Sequence, residues 1–272
     1  MTNQQTLINN LLQIKRNVKI KKPLIHYITN PISINDCANV MLAIGARPIM
    51  AEHPLEVSEI TSASNALGVN LGNITDVRMK SMLISGKTAF KERIPQVIDL
   101  VGVGCSKLRF NYAKKFIFQC HPDVIKGNLS EIRAIYGIES NAKGIDAGEC
   151  DKITDDNIEI MKKLSLRTNS VIAATGAIDV ITNGSETYLI KNGCEMLSMV
   201  TGTGCMVTAL IASYISSLDI FAGTILAVSL MGICGELSQH ITGIGSFRTD
   251  LIDNLFTISD NTIINKIKYE LK

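Results

Sequence analysis

Thr201-Gly202-Thr203-Gly204-Cys205 stands directly before an apolar run that begins at Met206. Glycines at the start of a helix let the backbone approach a ligand closely. The N–H groups of the first turn have no partner inside the helix, and the helix dipole adds positive potential. Gly202, Thr203, Gly204 and Cys205 are therefore expected to form an anion hole suited to a phosphate. Plain helix capping by Gly and Thr is the alternative. The segment is neither a Walker A loop, since no Gly-Lys-Ser/Thr follows, nor a dinucleotide fingerprint. Cys205 falls in the first turn, where a thiol can accept a proton from an alcohol or attack as a nucleophile. A buried inert thiol is the alternative.

Two carboxylates sit at other predicted strand ends. Asp99 closes QVID, just before Gly102 and Gly104. Glu131 closes Asn128-Leu-Ser-Glu131, directly after PDVIKG. Two carboxylates and a phosphate-binding helix start suit Mg²⁺ with a nucleotide. Asn-x-x-Glu at a helix start is equally a capping-box variant, and alone it reads as one. Lys126, two residues before Asn128, can balance phosphate charge or be an ordinary surface lysine. The four histidines, His26, His53, His121 and His240, have no metal-ligand spacing.

The elements that must position these residues alternate. PLIHYIT, RPIMA, LGVNLGN, QVIDLVGVG, PDVIKGN and SVIAATG read as strands. SINDCANVMLAIG, HPLEVSEITSASNA, DVRMKSMLISGKTAFKE and NLSEIRAIYG read as helices between them. A first helix carries Leu7, Ile8, Leu11, Leu12 and Ile14 on one face and ends in the basic residues Lys15 to Lys22. In DVITNGSETYLI the Asn183-Gly184 pair predicts a type I′ hairpin. Two long apolar helices follow, and the tail holds a last amphipathic helix. The pattern predicts an α/β fold with a mostly parallel sheet, helices on both faces and a late β-hairpin at the edge. No Pro/Gly/Ser-rich linker or internal repeat divides residues 1–272, so one domain is expected.

Composition narrows the function. Basic and acidic residues nearly balance, 27 against 25, and Trp is absent, which argues against a nucleic-acid partner. Seven cysteines with no CxxC argue against a disulfide framework or zinc ribbon, and a cytoplasmic location is expected. Residues 196–218 and 220–235 carry no charge. Gly, Thr and Ser dilute both runs, so they are expected to be core helices, with no membrane partner.

Taken in order, HYITNPISINDCANVMLAIGARPIMA, VIDLVGVG, PDVIKGNLSEI, AATGAIDVITNG and VTGTGC resemble the hydroxyethylthiazole kinases, a thiamine-salvage family of ribokinase-like fold. The resemblance runs from about Pro23 to Gln239. It implies transfer of the ATP γ-phosphoryl group to the primary alcohol of 4-methyl-5-(2-hydroxyethyl)thiazole, with Mg²⁺ required. It assigns Met50 and Gly202 to the thiazole, Lys126 and Thr175 to ATP, and Asp99 and Glu131 to Mg²⁺, directly or through water. Cys205 takes the place where most ribokinase-like enzymes have an aspartate base. The resemblance also implies a homotrimer with the active site between subunits. Two departures stand out: Leu100 replaces a usual proline, and Lys126 replaces a usual arginine, which removes a bidentate phosphate fork. Alternatives are a related kinase acting on a pyrimidine or pyridoxal alcohol, and a non-catalytic thiazole or nucleotide sensor.

Overall fold

The computed structural model describes residues 3–137 and 153–272. Cys150 lies outside them. Among the described residues the strands are β1 (Leu24–Ile28), β2 (Arg47–Ile49), β3 (Ala66–Asn70), β4 (Gln96–Asp99), β5 (Val124–Asn128), β6 (Val171–Thr175), β7 (Asp179–Thr182), β8 (Thr187–Ile190) and β9 (Tyr269–Leu271). The helices are α1 (Asn3–Lys21), α2 (Ile34–Ala43), α3 (Val57–Ser62), α4 (Asp76–Glu92), α5 (Lys107–Cys120), α6 (Leu129–Tyr136), α7 (Asp155–Thr168), α8 (Met196–Met199), α9 (Thr203–Ile215), α10 (Ile220–Ser238), α11 (Ile244–Thr257) and α12 (Asp260–Lys266).

All nine strands form one sheet, ordered β2-β1-β3-β4-β5-β6-β7-β8-β9. The pairs from β2 through β6 are parallel, and those from β6 through β9 are antiparallel. The parallel strands are short apolar runs because both faces are covered. Side-chain alternation divides the core in two. Leu67 and Val69 of β3 face a layer with Met82 of α4, Phe116 of α5, Ile132 of α6 and Leu164 of α7. On the other face Tyr27, Leu210 of α9, Ile225 of α10 and Phe247 of α11 pack with Leu11 of α1 and Met41 of α2. The mostly parallel, two-faced architecture is the expected one.

α10 is long and apolar enough to cross a membrane by length and composition, but 78% of that span is buried inside the fold. It is a core helix, as expected for the uncharged run. The basic end of α1 is partly paired: Lys15 and Arg16 both meet Asp260, at 2.9 and 2.7 Å.

Three local expectations need correction. The β7–β8 connection is not a type I′ turn. The ladder closes at Thr182 and Thr187, leaving residues 183–186 as the loop. Gly184 has φ +92° but Asn183 is not in the left-handed region. Asn183 Oδ1 instead accepts the N–H groups of Ser185 and Glu186 at 3.0 and 2.8 Å, a side-chain turn that competes with I′ geometry. The tail holds two helices, α11 and α12, and then β9, which pairs with β8 outside the hairpin. Finally, α5 and α7 were not anticipated as crossovers. The buried stripe of α5 is Tyr112, Ala113, Phe116 and Cys120 among charged neighbours, a weak apolar signal.

Candidate active site

The parallel strands deliver polar residues to one edge. Asn30 follows β1, Asn70 ends β3, Asp99 ends β4, Lys126 lies opposite Asp99 on β5, and Thr175 ends β6 opposite Asn128. The order of the sheet reverses between β1 and β3. α2, after β1, packs on one face, and α4, after β3, packs on the other. Such a switch point leaves a crevice beyond the strand ends, where open α/β sheets bind ligands. Cys205 lies there. Its Sγ accepts N–H bonds from Asn30 Nδ2 at 3.4 Å and Asn70 Nδ2 at 3.3 Å.

Behind the thiol is a buried ion pair. Lys126 Nζ donates to both Asp99 oxygens at 3.2 and 3.1 Å and to the Gly204 carbonyl at 3.0 Å. Asp99 Oδ2 also accepts from Asn70 Nδ2 at 2.9 Å and Thr208 Oγ1 at 2.7 Å. Lys126 is not the surface lysine of the alternative reading, since its side chain is 5% exposed. Burial works to lower its pKa, but the Asp99 carboxylate beside it, with Cys205 and Glu131 nearby, works the other way, and the net direction is up. Because Gly204 and Thr208 belong to α9, this pair pins the helix start to β4 and β5.

The start of α9 leaves its first amides outside the helix. Met206 N makes the first helical bond of α9, to the Gly202 carbonyl at 2.9 Å. The amides of Thr203, Gly204 and Cys205 therefore precede the helical ladder. Gly202 has φ +90°, and a Cβ there would stand 2.8 Å from Ser33 Cβ. Thr203 Oγ1 donates back to Leu197 O at 2.8 Å, and Tyr27 Oη donates to Cys205 O at 3.0 Å. Tyr27 is fully buried and lies over Gly68 of β3.

Glu131 takes the capping-box geometry in full. Asn128 Oδ1 accepts Glu131 N at 2.8 Å, and Glu131 Oε2 accepts Asn128 N at 2.8 Å. Its other oxygen accepts Gly102 N at 2.7 Å. Burial raises its pKa, against those two N–H bonds. Gly102, at φ +75°, is thus held from α6, while Arg109 Nη1 donates to Val101 O at 3.2 Å. These bonds fix the turn after β4 that contains Leu100. Leu100 itself is buried, and its N–H donates to Lys126 O at 2.8 Å. Asp99 and Glu131 keep unshared lone pairs, but Asp99 is fully buried. Among the described residues no three His, Cys, Asp or Glu side chains converge for a metal. This donor set fits an ion that retains most of its water shell, as Mg²⁺ does.

A cleft of about 670 Å³ opens beside the helix start. It collects Thr175, Thr203 and Gly204 with the apolar Leu197, Val207, Val228 and Met231. Asp179 also lines it, accepts Gly176 N at 2.9 Å, and has its pKa pushed up to about 7 by burial, against that N–H bond and the Lys126 charge. Met50 is not part of this cleft. It is half-buried, follows β2, and packs against the apolar layer on the α9 face. His26 steadies that segment, with Nε2 bonded to Ala51 O and Nδ1 to Thr61 Oγ1, both at 2.9 Å.

Asn30, Asn70, Thr208 and Tyr27 were not singled out from the sequence. Asn30 and Asn70 had a legible signal: each closes an apolar strand run, as Asp99 does. Thr208 and Tyr27 had none, because each looks like ordinary core sequence.

The sequence profile described as the hydroxyethylthiazole kinase family matches residues 15–261. A relative from Clostridium botulinum (strain Okra / Type B1), "Hydroxyethylthiazole kinase 2", is 72% identical over 261 residues, covering 94% of this chain and 98% of its own. A solved hydroxyethylthiazole kinase protein from Pyrococcus horikoshii OT3 superposes with TM-score 0.89 at 31% identity, over 97% of this chain and 99% of that one. A ribokinase-like superfamily protein from Enterococcus faecalis V583 shares the fold alone: TM-score 0.61 at 12% identity, over 87% and 88% of the two chains.

Proposed function

The chain belongs to the hydroxyethylthiazole kinase family, and from that membership we propose how its own residues carry out the family's reaction. The protein transfers the γ-phosphoryl group of ATP to the primary alcohol of 4-methyl-5-(2-hydroxyethyl)thiazole, a thiamine-salvage step. The observation that carries the residue assignment is the Cys205 thiol, which meets the switch-point crevice next to three amides outside the helical ladder.

In this reading ATP occupies the cleft between Thr175 and Met231. Its polyphosphate runs toward the amides of Thr203, Gly204 and Cys205. Phosphoryl transfer passes through a loose transition state, so positioning and charge stabilisation matter most. The amides stabilise charge on the phosphoryl oxygens. Lys126 adds a positive charge beneath them by exchanging one of its bonds to Asp99. Gly202 lets the alcohol approach the backbone, Met50 contacts the thiazole, and Cys205 Sγ accepts the hydroxyl proton late. Asn30 and Asn70 hold that sulfur in place. Mg²⁺, when bound, neutralises phosphate charge; Asp99 and Glu131 would hold it through water. Ile32, Leu42 and Leu55, on either side of Met50 in the chain, are 69%, 55% and 84% exposed. They suit a homotrimer whose neighbouring subunits complete the thiazole pocket. A cytoplasmic setting fits six described cysteines that are all free thiols.

The test is a mass-spectrometric turnover assay with ATP, Mg²⁺ and equimolar hydroxyethylthiazole and hydroxymethylpyrimidine. Thiazole phosphate is the expected dominant product. Pyrimidine phosphate instead would keep the anion hole and overturn the Met50 pocket.

A further inference from the structure

One wall of the cleft takes no part in the transfer step. It is Asn192, Gly193 and Cys194, directly after β8. Glu236, near the end of α10, is the first charge after the uncharged run 220–235. Its side chain is only 10% exposed. Glu236 Oε1 accepts from Gly193 N at 3.0 Å and Asn192 Nδ2 at 3.1 Å. Lys268 Nζ donates to its two oxygens at 3.1 and 3.0 Å.

Asn192 is held from the other side as well. Its Nδ2 donates to Lys266 O at 2.8 Å, and its Oδ1 accepts Lys268 N at 2.7 Å. Lys191 N donates to Lys268 O at 2.9 Å, continuing the β8–β9 ladder. Cys194 Sγ donates to Gly235 O at 3.2 Å. A Cβ on Gly232 would collide with the Asn192 carbonyl, so wall and helix meet with no side chain between them. Each of these bonds ends on residues 191–194, on α10, or on the segment that leads into β9. The position of the cleft wall is therefore set by the last residues of the chain.

We propose that Glu236, acting with Asn192 and Lys268, is a positioning residue for the nucleotide: the C-terminal segment braces the cleft wall in its ATP-binding shape. This rests on the reading of the cleft as the ATP site. A wall already ordered lowers the ordering cost at binding. The hydrogen-bond partners of Glu236 are Asn192, Gly193 and Lys268, none of them at the Cys205 crevice, so the brace acts on the KM for ATP and not on the KM for the thiazole.

The experiment uses the full chain with Glu236→Ala, Glu236→Gln and Lys268→Ala, varying ATP and thiazole separately and recording Tm for each. Glu236→Ala removes the acceptor shared by the Gly193 N–H and the buried Asn192 side chain and should raise the ATP KM about tenfold, the size of one lost hydrogen bond. The thiazole KM should stay unchanged. Glu236→Gln keeps an acceptor for Gly193 and Asn192 and should recover most of the loss. Lys268→Ala, on an exposed side chain, should give a smaller rise and keeps the test open should Glu236→Ala fail to fold. A lower Tm with an unchanged ATP KM overturns the proposal, as does an equal rise in both KM values. Ser198→Trp is the control for the cleft itself, because Ser198 is exposed and lines it. If Ser198→Trp leaves the ATP KM unchanged, the cleft reading falls and the brace with it. If Ser198→Trp raises it and the Glu236 variants do not, the brace alone falls.

Discussion

Two carboxamides aim their N–H groups at the sulfur of Cys205, and one of them, Asn70, also donates to Asp99 at 2.9 Å. The thiol is thus an acceptor fixed against the same buried network that fixes Lys126. That geometry suits a base that takes its proton late, when a loose transition state has already moved the phosphoryl group. Cys205→Ala should lower kcat by about a hundredfold at most, the lower end of general-base effects. Its ATP affinity should match the parent, because the helix-start amides remain. Single-turnover kinetics with an ATP titration reads both quantities, and unchanged turnover would remove Cys205 from the mechanism. Cys205 and Asp99 could be named from sequence because their positions at a helix start and a strand end are visible there. The Asn30 and Asn70 contacts could not, since they join residues that the chain separates by 175 and 135 positions.

The start of α9 is the element on which the proposed transfer rests. Gly202 gives it a left-handed entry, and the alternative Cβ would press on Ser33 at the start of α2. Gly202→Ala therefore strains the backbone by about 1–3 kcal/mol and displaces the amides of Thr203, Gly204 and Cys205 that the proposal aims at phosphate. Both a lower denaturation midpoint and a reduced kcat are expected. A variant with parent stability and parent kcat would show that the loop tolerates a side chain, and the anion-hole assignment would fail with it. Glu131 illustrates how one motif serves two elements. Its sequence reading was divided between capping box and metal carboxylate. The capping box is present, and the same side chain reaches across to the Gly102 turn. Asn-x-x-Glu could show the first bond because it is local, but not the second, which depends on β4 and β5 lying side by side.

At the scale of the whole molecule, burial of titratable groups should leave a mark on stability. Burial raises the Asp179 pKa from 3.8 to about 7. Between those values the folded protein binds more protons at this site than the unfolded chain, so stability falls as pH rises. His26 acts in the opposite sense. Burial lowers its pKa from 6.5, so stability is lost as pH drops below that value. Asp179→Asn keeps an acceptor for Gly176 N and removes only the first effect. The stability of this variant relative to the parent should climb with pH from about 4 to about 7 and stay level above. Denaturant midpoints measured across that range check the sign, and a constant difference would show that Asp179 titrates normally.

Apolar periodicity, strand-length runs and glycine punctuation are local properties, and they determined the α/β class, the parallel strands, the two uncharged core helices and the glycine-led start of α9. Position at a predicted strand end or helix start likewise picked out Asp99, Glu131 and Lys126 as candidates. Strand order was decided only by the tertiary structure, because β1 pairs with both β2 and β3 through contacts the chain does not encode at short range. That order makes the crevice in which Asn30, Asn70 and Cys205 meet. The tertiary structure also decided the fate of the tail: β9 finds its partner in β8 some eighty positions earlier, as the pairing of Leu189 with Glu270 shows. Long-range pairings of this kind depend on how separate apolar faces are buried together, a property of the packed molecule and not of any segment.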